Sequence, residues 1–108
     1  MKIAITSEGN HLDSKLDNRF GRCCYFVLYD TEKKDVEFIP NPNKESMEGA
    51  GPASAQFVAS KSVQKIISSE FGQKVKSIFE SLQIQTVKMD KTDKTMREII
   101  ELLNTLKI

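Results

Sequence analysis

The sequence has few cysteines, which limits how the chain can be stabilised. Only two occur in 108 residues, Cys23 and Cys24, and they are adjacent. Consecutive Cα atoms lie about 3.8 Å apart, which is short of the roughly 4.4 to 6.8 Å that a disulfide prefers. The pair therefore cannot stabilise the fold through a disulfide bond of normal geometry. This length predicts a single domain over residues 1–108, with a core large enough to need no structural metal. Any metal site would therefore serve function.

The chain also lacks an excess of charge of one sign and any long hydrophobic run. It has 16 Lys and Arg against 15 Asp and Glu, a net charge of +1. Without a global positive field, nucleic acid and anionic lipid are not expected partners. No apolar stretch approaches the roughly 20 residues that cross a bilayer, and no signal-peptide core is present. We therefore expect a cytoplasmic protein with neither nucleic-acid nor membrane partners.

Sequence patterns of several enzyme classes are missing as well. No P-loop occurs, and residues 7–11 lack the glycine spacing of a dinucleotide-binding turn. Ser7, His11 and Asp13 share one polar segment, but no nucleophile elbow or oxyanion hole accompanies them. Because no acid, base and nucleophile converge in the sequence, we expect a protein that is not an enzyme.

Hydrophobic patterning in the first half predicts three strands. A buried strand over residues 2–6 is followed by a polar loop over residues 7–22, which is long enough to be either functional or mobile. Residues 24–29 are apolar on both strand faces, and they form a hairpin with residues 36–39. Pro40 ends this third strand, which is expected at a sheet edge.

The second half alternates helices with strands. Gly51 and Pro52 predict the start of a helix that continues over residues 53–61, because proline is favoured at the first helical position. A strand over residues 63–67 and another over 84–87 flank an amphipathic helix, whose apolar face consists of Val75, Ile78, Phe79 and Leu82. A final helix begins with a Thr95 and Glu98 capping box, and its apolar stripe is Met96, Ile99, Ile100 and Leu103.

This order of elements predicts an α/β fold. A hairpin precedes two β-α-β crossovers, which are right-handed and place parallel strands in a mixed sheet. We expect a three-layer domain of ribonuclease-H-like topology, with a five-stranded mixed sheet and about three helices. A nuclease of that fold needs an acidic residue on the first strand to hold two metal ions. Residues 3–6 contain no carboxylate, so a metal-dependent nuclease is disfavoured.

The remaining candidate chemistry is that of soft ligands. Cys23 and Cys24 follow the long polar loop directly, and His11 lies within it. Thiolate and imidazole suit iron–sulfur and other thiophilic centres, while Arg19 and Arg22 could neutralise an anionic cluster or oxyanion. Adjacent residues of a strand point to opposite faces, so at most one of the cysteines can face a site inside regular strand.

A structural interpretation of the same residues stays open. One cysteine can be a small core residue and the other a surface thiol, and the histidine can be a solvated loop side chain. Phe20 can anchor a turn in which Gly21 supplies a positive φ and Arg19 pairs with Asp13 or Asp17. Gly49 and Gly51 can let backbone approach an anion at a helix amino terminus, although helix entry explains them equally well.

Several segments together resemble a known family. The resemblance runs through residues 1–9, 12–22, 25–26 and 49–51 and includes Ile84. These segments are similar to the dinitrogenase iron-molybdenum cofactor biosynthesis family. The resemblance implies a ribonuclease-H-like fold without nuclease activity, and a role in binding or carrying a metal–sulfur cofactor.

Composition and resemblance together give one main hypothesis. The chain would bind, without catalysis, a cluster of iron–sulfur or iron–molybdenum type, with cluster donor or acceptor proteins as partners. The candidate cofactor-binding residues are Arg19, Phe20, Gly21, Arg22, Gly49 and Gly51. The candidate metal ligands are Cys23, Cys24 and His11. The alternatives are a protein-interaction module that keeps the fold without a cofactor, and a sensor of small anions or thiol redox state.

The sequence departs from the family pattern at three places. Arg19 stands where nitrogenase-linked members have a histidine. Residues 68–73 keep only the second glycine of a Thr-Gly-x-x-Gly-Pro turn, so that Ser69 adds a Cβ where backbone could approach a ligand. Gln83 stands where a glycine usually ends the second helix.

Overall fold

We describe residues 1–90 and 93–106 of the protein from a computed structural model. These residues form five strands and three helices. In chain order they are β1 (Lys2–Ser7), β2 (Tyr25–Asp30), β3 (Val36–Pro40), α1 (Ala50–Ala59), β4 (Lys65–Ser68), α2 (Gln73–Ser81), β5 (Gln85–Lys88) and α3 (Met96–Leu106). None of these helices has the length and hydrophobicity that a bilayer crossing requires.

The five strands form one mixed sheet in the order β3-β2-β1-β4-β5. The hairpin of β2 and β3 is antiparallel, and β1 pairs antiparallel with β2. The two crossovers through α1 and α2 add β4 and β5 in parallel to β1. The predicted α/β class, the mixed five-stranded sheet and the edge position of β3 are therefore confirmed.

Three layers follow from the alternation of side chains along the central strand. Ala4 of β1 belongs to a core cluster with Val58 of α1 and Val75 of α2. Ile3 and Ile5 point to the opposite face, where they pack with the stripe of α3 that was predicted from the sequence, namely Met96, Ile99, Ile100 and Leu103. Two helices thus cover one face of the sheet, and one helix covers the other.

The first two helices differ from the sequence prediction at their ends. Helix α1 begins at Ala50 and ends at Ala59, and Gly49 is its amino-terminal cap with a φ of +67°. Pro52 is therefore the third helical residue, a position that tolerates proline because the first turn's N–H groups have no intrahelical acceptor. Leu82 does not belong to the buried face of α2, because the helix ends at Ser81 and the Leu82 side chain is 43% exposed.

The long polar loop after β1 is tied to the rest of the fold. The backbone N–H of Glu8 donates to the Lys15 carbonyl at 2.9 Å, and that of Asp17 donates to the Thr6 carbonyl at 3.1 Å. Leu16 and Phe20 bury their side chains in the two cores on opposite faces of the sheet. The loop therefore has a defined shape, with its last residues held at one end of the sheet.

Candidate functional site

An open cleft of about 650 Å³ lies beyond the carboxyl end of β4. Three segments line it: residues 19–22 of the first loop, residues 49–52 at the start of α1, and residues 70–75 leading into α2. Ligands of open α/β sheets commonly bind beyond the carboxyl ends of parallel strands. All six residues predicted to bind a cofactor line this cleft.

Arg19 is held in the cleft wall by Asp17. The buried Asp17 carboxylate accepts hydrogen bonds from the Arg19 backbone N–H at 3.0 Å and from its Nε at 3.4 Å. The hydrogen bond and the negative charge of Asp17 raise the pKa of the Arg19 guanidinium above its usual value. The Arg19 side chain remains 59% exposed, so its cation is available to a ligand in the cleft at any physiological pH.

Phe20 anchors this wall in the hydrophobic core. Its ring lies 5.6 Å from the Phe26 ring, 5.8 Å from that of Phe71 and 5.4 Å from that of Phe79, measured between centroids. Such tilted and edge-to-face contacts are favourable arrangements of aromatic rings. Because Phe71 belongs to the segment leading into α2, the Phe20 cluster fixes two walls of the cleft relative to each other.

Gly21 allows the first loop to touch α1. A Cβ on Gly21 would lie 2.8 Å from both the Cα and the N of Gly51, closer than real Cβ contacts. The expected positive φ is not found at Gly21; among the described glycines it occurs at Gly49. Gly21 is therefore required by a close backbone approach, and its carbonyl accepts hydrogen bonds from Asn41 Nδ2 at 3.1 Å and Ser54 Oγ at 3.0 Å.

Arg22 connects the first loop to residues 41–49, the segment between β3 and α1. Its Nη1 donates to the carbonyl of Lys44 at 3.1 Å, within the segment that leads to α1. One guanidinium nitrogen is thus used structurally, which leaves the other N–H donors of Arg22 for a ligand.

Two helix amino termini open onto the cleft. Helices α1 and α2 follow Gly49 and Gly72, and neither start receives a side-chain cap from the described residues. Their first turns also contain no acidic residue. The first N–H groups of a helix lack intrahelical acceptors and carry a partial positive charge, so they attract anions.

The charged side chains of the cleft add to this preference. Arg19, Arg22 and Lys74 line it, against the single carboxylate of Glu70 among its lining residues. The excess of positive side chains and the two helix starts both attract a negatively charged ligand. The cleft is therefore suited to a compact anion, although the chain as a whole is nearly neutral.

The predicted metal ligands are not brought together in the same way. Cys23 is fully buried in the core beneath α1 and α2, and burial raises the pKa of its thiol. Cys24 is half-buried, and His11 is exposed, with its Nδ1 at 3.4 Å from Ser14 Oγ. All three lie outside the lining segments, and within residues 1–90 and 93–106 no three His, Cys, Asp or Glu side chains form a metal-binding group.

Residues 70–75 form a wall that sequence reasoning did not assign to the site. Their position after a parallel strand and before a helix was a usable signal, because that is where α/β proteins place ligand loops. Asn41 and Ser54, which position the Gly21 carbonyl, had no such signal. Ser69 precedes this wall; it is buried, and its Oγ has no hydrogen-bond partner within the described part of the chain.

Comparison with known proteins identifies the family. The sequence matches the dinitrogenase iron-molybdenum cofactor family over residues 1–106. The chain belongs to this family. A relative in Methanocaldococcus jannaschii, of uncharacterised function, is 35% identical over 95 residues, which are 85% of this chain and 77% of that protein. The family resemblance inferred from residues 1–9, 12–22 and 49–51 is thereby confirmed.

Solved structures share the fold of this family member. The apo form of the orange protein from Desulfovibrio gigas superposes with a TM-score of 0.87 at 28% identity, covering 94% of this chain and 85% of that one. A proposed NifB protein from Thermotoga gives a TM-score of 0.79 at 29% identity, covering 96% and 94%. The chain is therefore a small α/β protein of a cofactor-related family.

Proposed function

We propose that the protein binds and carries, without catalysis, an anionic metal–sulfur cluster of iron–sulfur or iron–molybdenum type. The observation that carries this proposal is the convergence of two uncapped helix starts and two arginines on one cleft. A cluster ligated by sulfide is an anion of compact shape, which is the kind of ligand that such a cleft favours. Family membership points to the same class of cargo.

Each wall has a role in this binding. The Arg19 and Arg22 guanidinium groups offset the charge of the cluster and donate hydrogen bonds to its sulfur or oxygen atoms. The N–H groups of residues 50–51 and 73–75 supply further donors at the helix starts. Phe20 does not contact the cargo through polar atoms; it keeps the walls in place. The close approach of Gly21 to Gly51 sets the width of the cleft.

Direct metal ligation by the chain is limited in this arrangement. Cys23 is buried and its thiol pKa is raised, so a thiolate is disfavoured there. His11 is exposed on the first loop and lies outside the lining segments. Cys24 is the remaining accessible thiol, but it too lies outside the lining segments, so the proposal rests on the arginines and the helix starts, and ligation by Cys24 is tested separately.

This mode of binding suits a carrier. Hydrogen bonds and charge attraction release a cluster to a stronger ligand set more readily than several thiolate bonds would, so donor and acceptor proteins are the expected partners. We place the protein in the cytoplasm, the location expected from the sequence.

Anaerobic reconstitution tests the proposal. The protein is incubated with ferrous iron, sulfide and molybdate and then desalted, and bound iron, molybdenum and acid-labile sulfide are measured. We expect stoichiometric metal and sulfide in the wild type, and about tenfold less in Arg19→Gln/Arg22→Gln, because charged hydrogen bonds are lost. The matched control, Lys33→Gln/Lys61→Gln, removes two positive charges outside the cleft and should retain the wild-type content.

Two outcomes would overturn the cluster proposal. If the wild type retains neither metal nor sulfide, the interaction module becomes the better function, and Cys23→Ala and Cys24→Ala should leave its partner binding intact. If the double arginine variant retains as much as the control, the cluster does not use this cleft. Cys24→Ala separates a bound thiolate, whose loss should shift the absorption spectrum, from purely electrostatic binding, which should leave the spectrum unchanged.

A further inference from the structure

A second pocket, of about 300 Å³, lies at the opposite end of the sheet from the cleft. It opens between the amino ends of β1 and β4 and the last turns of α3. Ile3, Lys34, Lys65, Leu103 and Asn104 are among its lining residues, and none of the residues that line it lines the cleft. Whatever binds here is therefore separate from the proposed cluster site.

Lys65 is the unusual residue of this pocket. It is the first residue of β4 and only 7% exposed. Its register partner is Ile3, and parallel partners share a face, so its side chain points toward α3 and Leu103. Within residues 1–90 and 93–106 its ammonium has neither a hydrogen bond nor an ion pair. The Lys65 side chain is largely buried, but its Nζ is not among the fully enclosed polar atoms that lack a partner in the described chain. The stem is therefore packed, and the ammonium reaches the open space of the pocket, where it can pair with an anion.

The groups around Lys65 are also donors. Asn104 Oδ1 accepts from Tyr29 Oη at 2.6 Å and from Lys34 Nζ at 2.9 Å. Because both donors meet the same oxygen, the orientation of the Asn104 amide is determined, and its NH₂ group is left as a donor. The pocket thus presents two ammonium groups and one amide NH₂ to whatever occupies it.

The charge around the pocket favours an anion. No carboxylate side chain is among its lining residues in the described chain. Glu101 lines the neighbouring pocket of about 340 Å³, which shares Lys34 and Asn104 with this one. The carboxyl end of α3 contributes about half a negative charge, which is less than the two positive charges of the lysines.

We propose that this pocket binds a small organic anion with a carboxylate head and a short hydrocarbon tail. The carboxylate lies between Lys65, Lys34 and the Asn104 amide, where it pairs with the Lys65 ammonium that faces the pocket. The tail packs on Ile3 and Leu103, which form the apolar wall. This binding is independent of the cluster cleft, and neither proposal needs the other.

Titration of the whole isotope-labelled chain with butyrate, followed by amide NMR shifts, tests this proposal. We expect saturable shifts at Ile3, Lys65 and Leu103 in the millimolar range. Butylammonium, which has the same tail and the opposite charge, should give none. Inorganic phosphate has no hydrocarbon tail and should bind more weakly than butyrate. Equal binding of the two anions would refute the role of the tail, while the anion site itself would stand.

Variants assign the binding to Lys65. Lys65→Met keeps the length of the side chain and should weaken butyrate binding by about tenfold or more. Lys61→Met, outside the pocket, is the matched control and should bind as the wild type does. If Lys65→Met does not fold, Lys34→Met on the exposed side of the pocket decides, since it should also weaken binding. Unchanged titration in these variants, or no saturable shift in the wild type, would overturn the proposal.

Discussion

Cys23 has the environment of a core side chain, and its chemistry should differ from that of its neighbour. Its Sγ lies 3.8 Å from Asn41 Nδ2, and burial is the main cause that raises the pKa of the thiol. Cys24 is half-buried. Comparing the reactivity of the two adjacent thiols therefore shows how the end of the first loop packs against the sheet.

We expect one rapidly reacting thiol per native chain. Only a thiolate attacks an aromatic disulfide reagent, and Cys23 is both inaccessible and protonated at pH 8. A colorimetric thiol assay should count one fast cysteine in the native protein and two after denaturation. Cys24→Ala should abolish the fast reaction, whereas Cys23→Ala should leave it. Two fast thiols in the native wild type would contradict the buried position of Cys23.

The same pKa shift predicts a pH dependence of stability. The pKa of Cys23 is raised in the folded state from an ordinary value of 9.0. The contribution of Cys23 to the free energy of unfolding is therefore complete below about pH 9. Above that pH the thiol of the unfolded chain ionises first, so this contribution is lost as pH rises toward the folded pKa, with a slope of up to about 1.4 kcal/mol per pH unit. Denaturant unfolding of wild type and Cys23→Ala between pH 7 and 10.5 isolates this residue. Their difference in unfolding free energy should shrink above pH 9; a constant difference would refute the shift.

Gly21 sets the contact between the first loop and α1. Gly21→Ala places a methyl group 2.8 Å from Gly51 backbone atoms, so the loop or the helix start must move. We expect a loss of about 1 to 3 kcal/mol in the free energy of unfolding, as for other overpacked sites. Gly72→Ala is the matched control at the other helix start, where a Cβ has no atom within 4 Å and φ is −68°. Equal stability of the two variants would contradict the close approach.

Helix α2 is followed by a non-glycine residue in a left-handed backbone conformation. The backbone N–H of Ile84 donates to the Phe79 carbonyl at 2.9 Å, and that of Gln83 to the Glu80 carbonyl at 3.1 Å. These two bonds form a Schellman motif, and Gln83 has the left-handed φ of 59° that the motif requires. The contact of Ile84 with Phe79 in the core completes it. The motif forms here without the glycine that normally accompanies it.

Replacing Gln83 by glycine should stabilise the protein. Gln83→Gly removes the steric cost of a left-handed conformation, and we expect a gain of about 0.5 to 1 kcal/mol after the extra entropy of the unfolded chain is counted. The shift in the thermal unfolding temperature gives the sign of this change in stability. Ser81→Gly, at the last helical residue, is the control and should lower stability, because glycine is unfavourable in a helix. A lower stability of Gln83→Gly would show instead that the glutamine side chain itself contributes to stability.

The two cores of the molecule should unfold together. They lie on opposite faces of one sheet, and β1 and β4 supply residues to both, Ala4 and Ile66 to one and Ile5 and Ile67 to the other. Calorimetry should therefore record a single transition with equal calorimetric and van't Hoff enthalpies, of about 75 kcal/mol for this length. Two resolved transitions would contradict the single domain that we predict for residues 1–108.

Charge is distributed unevenly over the whole molecule. The net charge of +1 gives the chain no strong overall field, but it does not describe the charge at either end of the sheet. The cleft collects two arginines and two helix starts, and the opposite pocket collects two lysines. Local anion sites are therefore compatible with a nearly neutral chain.

Local physics made much of the fold predictable. Apolar runs, 3.6-residue periodicity and the Gly51 and Pro52 helix start predicted the eight elements that the structure describes, and the hairpin followed by two crossovers predicted the mixed sheet. The capping box was also predictable, since Thr95 and Glu98 exchange hydrogen bonds across three residues. The first loop and the Gly49 to Gly51 segment were candidate site segments because of their glycines and arginines, although a structural interpretation of the same residues stayed open. The structure places both segments at the cleft.

What only the tertiary structure decided is which distant segments meet. Residues 70–75 complete the cleft because the β4 to α2 turn packs against the first loop through Phe20 and Phe71, a contact between residues 51 positions apart in sequence. The burial of Cys23, the close approach of Gly21 to Gly51 and the position of Lys65 in the second pocket likewise arise from packing across the sheet. The sequence by itself determined the elements and their order, since these depend on neighbours along the chain; the sites depend on neighbours in space.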